Sequence, residues 1–235
     1  MKVILSGGGT GGHVYPAIAI ANKIKEHHPD AEILFVGTKA GIEAEIVPKY
    51  GYRIKYIDVQ GFRRKIDLEN VKRLIKFLKS LGDSKRIIKR FKPDLVIGTG
   101  GYVSGSVVLK ASKMGIKSCI HEQNSFPGMT NKMLSKNVDI VMTSFEDSHK
   151  RFPDQAQDKL TFTGNPVRDE ILNSDKAESR KKLGLTPDEK MLLVAGGSGG
   201  SEEINNALKK LIPALVKDKI AFTIATGRAY YDQFM

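Results

Sequence analysis

Three times in this chain a short apolar run ends in a glycine-rich loop that a helix-compatible segment follows: "LSGGGTGGH" from Leu5 to His13, "IGTGGYVSG" from Ile97 to Gly105, and "AGGSGGS" from Ala195 to Ser201. Glycine loses more backbone entropy on folding than any other residue, so this density is tolerated only where something must approach the main chain closely or the chain must turn tightly. Strand, glycine loop and helix start is also the order in which free N–H groups and the helix dipole converge on an anion. Any one loop reads equally well as a packing turn. Three together point to phosphate binding in a cleft between domains.

Around the loops, apolar runs alternate with longer helical patterns. Strands are predicted at Lys2 to Leu5, Glu32 to Gly37, Arg53 to Val59, Leu95 to Gly98, Ser118 to His121, Ile140 to Thr143 and Leu160 to Thr163. A helix is predicted from about Pro16 to His27, with Pro16 in the first turn, where its missing N–H costs nothing. Strands separated by helices imply βαβ units and a parallel sheet. The pattern breaks at Gly164-Asn165-Pro166. After a helical stretch to about Leu183, a new series opens with Met191 to Ala195, a helix from Glu202, and Ala221 to Thr226. Residues 1–165 are expected to form one α/β domain and 166–235 the start of a second, because a two-strand unit buries too little surface to stand alone.

The chain has 40% apolar and 27% charged residues, ordinary values for a globular protein. Its one cysteine, Cys119, cannot form an internal disulfide, which suggests a reducing compartment and a packing role for the thiol. The amino-terminal apolar run, Val3 to Leu5, is far shorter than a signal-peptide core or the roughly 20 residues of a membrane span. Charge is unevenly placed. From Gly61 to Lys92 there are twelve Lys/Arg against three acids, three quarters of the net +12. Such a patch invites an anionic surface.

Gly7, Gly9 and Gly12 satisfy G-x-G-x-x-G, so a nicotinamide-dependent oxidoreductase has to be weighed. That reading needs an acid near the end of the second strand to hold a ribose, and "FVGTKAG" (Phe35 to Gly41) has none. The phosphate loop G-x-x-x-x-G-K-[ST] fails as well, because His13 stands where lysine is required.

Taken together, "GGGTGGHVYPA" (Gly7 to Ala17), "GTGGYVSG" (Gly98 to Gly105), "HEQNSFPGMTNK" (His121 to Lys132), "TGNPVR" (Thr163 to Arg168) and "GGSGGS" (Gly196 to Ser201) resemble the MurG family of glycosyltransferases across essentially the whole chain. The resemblance implies a GT-B fold, with two Rossmann-like domains whose parallel sheets face a cleft, the second incomplete here. It implies inverting transfer of N-acetylglucosamine from UDP-GlcNAc to the MurNAc 4-hydroxyl of the undecaprenyl-linked acceptor lipid I, giving lipid II for peptidoglycan. No cofactor or metal is expected, and no Asp-x-Asp pair is present to chelate one. The alternatives are a sugar-nucleotide-binding α/β protein of other chemistry, or an oxidoreductase.

Carried over residue by residue, the resemblance assigns His13 as general base and Thr10, Gly11 and Gly12 to the sugar and phosphates. It makes Asn124 a sugar contact, Arg168 a donor contact at the hinge, and Ser198 a hydroxyl near the UDP phosphates. Gly100, Gly101 and Tyr102 are assigned to the acceptor pyrophosphate, with Glu122 and Gln123 as further site residues. A purely structural alternative is that His13 only caps its loop by hydrogen bonding. His27, His28 and His149 read as solvated surface. Gly199 and Ser201 replace the family's usual glutamine and alanine, so a side-chain amide contact to the donor is missing, and Ser106 stands where proline is usual. Family members also continue beyond the length of this chain, so residues 1–235 alone are expected to bind donor poorly and to transfer no sugar.

Between Asp67 and Leu81 the apolar residues Leu68, Val71, Leu74, Ile75, Phe77, Leu78 and Leu81 span about half the helix circumference, wider than the roughly 100° stripe that faces a core. Leu74, Phe77 and Leu81 are expected to emerge beside Arg73. With Arg63, Arg64, Lys72 and Lys76 they would lie on anionic lipid, peripheral to the cytoplasmic face of the bacterial membrane. The rival is a solvated cationic face. Nucleic acid is not expected as a partner, because interleaved aromatics and a known binding module are both missing.

Overall fold

The computed structural model describes residues 1–61, 68–197 and 199–234. The chain separates into two compact units, Met1–Arg168 and Asp169–Met235.

The first unit is built on seven parallel strands: β1 (Lys2–Gly7), β2 (Glu32–Gly37), β3 (Arg53–Tyr56), β4 (Leu95–Gly100), β5 (Lys117–Glu122), β6 (Ile140–Thr143) and β7 (Leu160–Phe162). Their order across the sheet is β3-β2-β1-β4-β5-β6-β7. The chain winds outward from β1 through β2 to β3, then returns to the other side of β1 as β4. Neighbouring β1 and β4 therefore form the topological switch point, the place where open α/β sheets hold ligands at the carboxyl ends of their strands.

Both faces of the sheet are buried, as the near-continuous apolar strands require. Side chains alternate across the pleat. Val3 and Leu5 pack with Ile33, Phe35 and Ile97 against Val14, Ala17, Ile18 and Ala21 of α1 (Gly11–His27) and Val47 of α2 (Glu43–Lys49). Ile4 and Val36 face the other way with Val96, Ile120 and Val141. There they meet Ile88 of α3 (Leu68–Phe91), Val103, Val107 and Val108 of α4 (Gly101–Lys113) and Leu134 of α5 (Met129–Ser135).

The second unit pairs β8 (Met191–Ala195) with β9 (Ala221–Ala225) in parallel, with α8 (Glu202–Lys217) between them in sequence. The helical stretch expected before Leu183 is two short pieces, α6 (Asp169–Leu172) and α7 (Lys176–Lys182). Asp175 caps α7 by accepting the Glu178 amide at 2.7 Å, and this new start keeps the two pieces apart.

Three local expectations are corrected. Only three residues turn the chain after β1, so α1 begins at Gly11 and Pro16 falls in its second turn, removing one internal helical hydrogen bond. Strand β3 stops at Tyr56 rather than Val59. Ile57 and Val59 are still buried, but the last bond to β2 is the Ile57 amide on the Gly37 carbonyl at 3.0 Å, and beyond it Val59 fills the core without strand pairing. His149 is half-buried and within 2.7 Å of the Thr143 hydroxyl, so it is not a solvated surface residue.

The basic helix differs most. Phe77 packs on the core and Leu81 is half-buried, while Val71, Leu74, Ile75 and Leu78 are 48–58% exposed. Arg73 turns inward to donate to the Gly61 carbonyl, and Lys76 pairs with Asp58 at 3.1 Å. Register against α4 decides which half of a broadly apolar helix is covered, and here it covers the half that carries Phe77, Ser80, Ser84 and Ile88. Arg63 and Arg64 lie outside the described residues.

Ile120, fully buried in the sheet between β4 and β6, is a sensitive probe of this packing. Ile120→Ala is expected to cost about 2–5 kcal/mol, read as a lowered urea midpoint. Burial, with the nearby Asp139 charge, pushes the Cys119 thiol up to about 12. Cys119 is therefore expected to resist thiol reagents at mildly alkaline pH in the folded chain and to react on unfolding.

Candidate functional site

The carboxyl ends of β1 and β4 bring the first two glycine loops together, main chain against main chain. The Gly8 amide donates to the Gly100 carbonyl at 3.3 Å. A Cβ on Gly101 would lie 2.4 Å from the Gly8 carbonyl oxygen, and one on Gly100 would lie 2.6 Å from His13 Cδ2 and 2.9 Å from Nε2. Both residues also have positive φ, +110° at Gly100 and +82° at Gly101, so glycine is needed there twice over. Thr99 clamps the junction, its hydroxyl donating to the His13 carbonyl at 2.7 Å.

At the head of α1 the His13 and Val14 amides bond to the Thr10 carbonyl. The amides of Thr10, Gly11 and Gly12 donate to no acceptor among the described residues. These are the orphan donors of a helix N-terminus, and with the dipole behind them they suit an anion. Helix α4 starts beside them, with Gly100 as its N-cap and Tyr102, 53% exposed, in its first turn against Gly61.

His13 is half-buried between the loops. Its Nδ1 lies 2.9 Å from the Gly8 carbonyl oxygen and 3.2 Å from the Thr10 hydroxyl. A carbonyl can only accept, so Nδ1 carries the proton and, in the neutral ring, Nε2 carries the lone pair. Nε2 is the edge that faces Gly100.

The end of β5 supplies a third wall. Asn124 is exposed, and both its amide and its Nδ2 donate to Glu122 Oε1, at 3.0 and 2.9 Å. Glu122 Oε2 accepts from the Gly128 amide at 2.9 Å and from Asn131 at 2.8 Å. Only 1% exposed and filled with internal donors, Glu122 holds the Asn124 loop and leaves nothing for a substrate. Gln123 likewise ties β5 to β4, its Nε2 donating to the Thr99 carbonyl at 2.9 Å and lying 3.0 Å from His121 Nδ1. Both were expected as substrate-binding residues; the contacts described brace that wall, and Gln123 Oε1 is buried without a hydrogen-bond partner among the described residues.

Arg168 closes the first unit by stacking its guanidinium 4.2 Å from the Tyr15 ring centre and donating to the Tyr50 hydroxyl. In the second unit the third loop repeats the strand, glycine and helix design. Gly200 packs on the Thr226 carbonyl, Ser201 caps α8 at the Ile204 amide, and Asn205, 2% exposed, donates to the Thr226 carbonyl at 3.0 Å. Ser198 lies outside the described residues. Thr99, His121 and Glu43 were not singled out from sequence; Thr99 and His121 fall inside the quoted "GTGGYVSG" and "HEQN" runs, and Glu43 had no signal.

A doubly wound sheet whose switch point presents two glycine-cradled helix N-termini and a half-buried imidazole places the chain among open α/β proteins with an anion-suited strand-end site. Residues 3–143 match the glycosyltransferase family 28 N-terminal domain, and the chain belongs to that family. It is 64% identical over 235 residues to the UDP-N-acetylglucosamine--N-acetylmuramyl-(pentapeptide) pyrophosphoryl-undecaprenol N-acetylglucosamine transferase of Clostridioides difficile strain 630, covering all of this chain and 58% of that protein. It is 48% identical to the protein of the same name in Acetivibrio thermocellus, again over all of this chain and 63% of the relative. The chain thus spans about three fifths of the length of the curated relatives it matches.

The crystal structure of Acinetobacter baumannii MurG superposes with a TM-score of 0.65 at 27% identity, over 95% of this chain and 59% of that one. The UDP-GlcNAc 2-epimerase of Neisseria meningitidis bound to UDP-GlcNAc shares the fold, with a TM-score of 0.64 at 17% identity over 95% of this chain and 65% of that one. The architecture is the α/β GT-B type.

His121 offers a check on the β5 wall. It is 1% exposed, its Nε2 lies 3.0 Å from the Gly164 carbonyl, and burial holds its pKa below the ordinary 6.5 against the opposing pull of that carbonyl and of Glu122. The folded ring stays neutral while the unfolded ring takes a proton, so stability is full above 6.5 and falls as pH drops below it. The urea midpoint is expected to fall between about pH 7 and pH 5, and to fall less in His121→Gln.

Proposed function

We propose that this chain is part of an inverting glycosyltransferase that moves N-acetylglucosamine from UDP-GlcNAc to the MurNAc 4-hydroxyl of undecaprenyl-pyrophosphoryl-MurNAc-pentapeptide. The observation that carries the reading is the His13 ring. With Nδ1–H on the Gly8 carbonyl, Nε2 has no hydrogen-bond partner among the described residues and lies between two helix N-termini, as a general base beside a diphosphate requires. The names of the relatives support the same reaction.

In this mechanism His13 Nε2 takes the proton of the acceptor 4-hydroxyl while that oxygen attacks the anomeric carbon of the donor sugar. The bond from that carbon to the UDP oxygen breaks on the opposite side, so configuration inverts and the electron pair leaves on UDP. The unpaired Thr10, Gly11 and Gly12 amides and the start of α4 at Gly101 and Tyr102 would hold pyrophosphate charge. The exposed Asn124 carbonyl oxygen would orient sugar hydroxyls. Within the first unit Arg168 would contact a donor phosphate, and within the second unit the loop that carries Ser198 would do so by its own glycine and helix-start design. For Arg168 this means exchanging its Tyr15 and Tyr50 contacts for a donor.

The membrane-anchored acceptor calls for a surface that meets lipid. Among the described residues, no helix is long and apolar enough to cross a membrane. The exposed stripe Val71, Leu74, Ile75 and Leu78, spaced along one face of α3 and flanked by exposed Lys72 and Lys79, suits peripheral contact with an anionic cytoplasmic leaflet. This stripe replaces the margin of Phe77, Leu81 and Arg73 expected from sequence.

Two measurements test the reading. In a transfer assay with UDP-GlcNAc and a lipid I analogue, run on the chain completed to the length of its relatives, His13→Ala is expected to lower kcat by about 10² to 10⁴-fold with donor affinity nearly unchanged. Full turnover would remove His13 from the chemistry. Leu74→Glu with Leu78→Glu is expected to abolish pelleting with anionic vesicles at low salt, and unchanged pelleting would clear α3 of that role.

A further inference from the structure

Glu43 is a carboxylate with 1% exposure, and no Lys or Arg pairs with it among the described residues. Burying such a charge is costly unless donors saturate it. Its donors come from two places. Oε1 accepts the Thr38 amide at 2.9 Å and the Thr38 hydroxyl at 2.7 Å, just past the end of β2. Oε2 accepts the Gly9 amide at 2.9 Å, inside the first glycine loop. Space for the carboxylate is made by missing side chains. A Cβ on Gly8 would lie 2.4 Å from it, and one on Gly41 would lie 2.2 Å away.

The Gly9 N–H and the Gly8 C=O belong to one peptide group. That group is planar and trans, so its N–H and C=O point in opposite directions. Fixing the N–H on Glu43 aims the C=O away from it, and that C=O is the acceptor of His13 Nδ1–H at 2.9 Å. An accepted hydrogen bond at one end also polarises the other. We infer that Glu43 is a positioning residue that acts through the Gly8–Gly9 peptide to hold His13 in the Nδ1–H tautomer, with the Nε2 lone pair presented to the site. No proton moves along this chain of contacts. The loop amide spent on Glu43 is unavailable to an anion, so the first loop serves the imidazole as well as phosphate.

This inference rests on the proposed role of His13 for its catalytic meaning, but it is tested without substrate. In the ¹⁵N-histidine-labelled chain above the imidazole titration range, the His13 signals, assigned by their loss in His13→Ala, are expected to show a protonated-type Nδ1 and a lone-pair-type Nε2. In Glu43→Gln one carboxylate oxygen becomes an NH₂ group, so either the Gly9 or the Thr38 amide loses its acceptor and the hold on the peptide weakens. The His13 pattern is expected to shift to the Nε2–H form that free histidine favours, while His121 keeps its own pattern. An unchanged His13 tautomer in a folded Glu43→Gln chain overturns the assignment. If that variant does not fold, Thr38→Val decides, because it removes one donor and leaves the carboxylate in place. A smaller shift in the same direction supports the assignment, and none overturns it. A tautomer that follows Glu43 in a protein whose turnover ignores His13→Ala would keep this inference and sink the general-base reading.

Discussion

The contact on which the first unit's site depends is the backbone-to-backbone seam between the ends of β1 and β4. Gly8 donates to Gly100, Gly101 lies against Gly8, and the His13 ring fills the space a Cβ of Gly100 would take. Two helices can start side by side only if the loops that feed them have almost no side chains. Their N-termini then add their dipoles at one point, and His13 is trapped where both converge. Parallel winding alone brings the strand ends together; the glycines let them touch.

Around that seam the polar residues divide by what they hold. Thr99 and Gln123 link neighbouring strand ends, Glu122 shapes the loop that carries Asn124, and Glu43 ties the first loop to the end of β2. Two carboxylates of 1% exposure this near an expected diphosphate would repel it if they were open to it. Each is saturated by internal N–H or O–H donors, so its charge is spent within the protein and the outward-facing groups are amides.

Much of the fold was legible because its signals are local. The runs Glu32 to Gly37, Ile140 to Thr143 and Met191 to Ala195 form strands at those bounds, and α8 starts at Glu202 as read. The glycine loops announced their place after strands and before helices. Pro16 misled because its preference for a first turn is weaker than the demand that the helix begin where the loop ends. For the site, the letters of "SGGGTGGH" and "HEQN" marked the right neighbourhood, but residue type cannot tell a ligand contact from a support. Glu122 and Gln123 sit beside Asn124 in sequence and turn their side chains inward.

What the amino-acid sequence determined by itself was a run of βα units with three glycine-lined turns, because strand, turn and helix preferences are settled within a few residues. Only the tertiary structure decided that Glu43 would reach the first loop across 34 positions, that Arg73 would face Gly61, and that α3 would cover Phe77 while exposing Leu74. Those outcomes depend on which distant surface arrives against each side chain, and that is fixed by strand order and helix register, which no local pattern encodes.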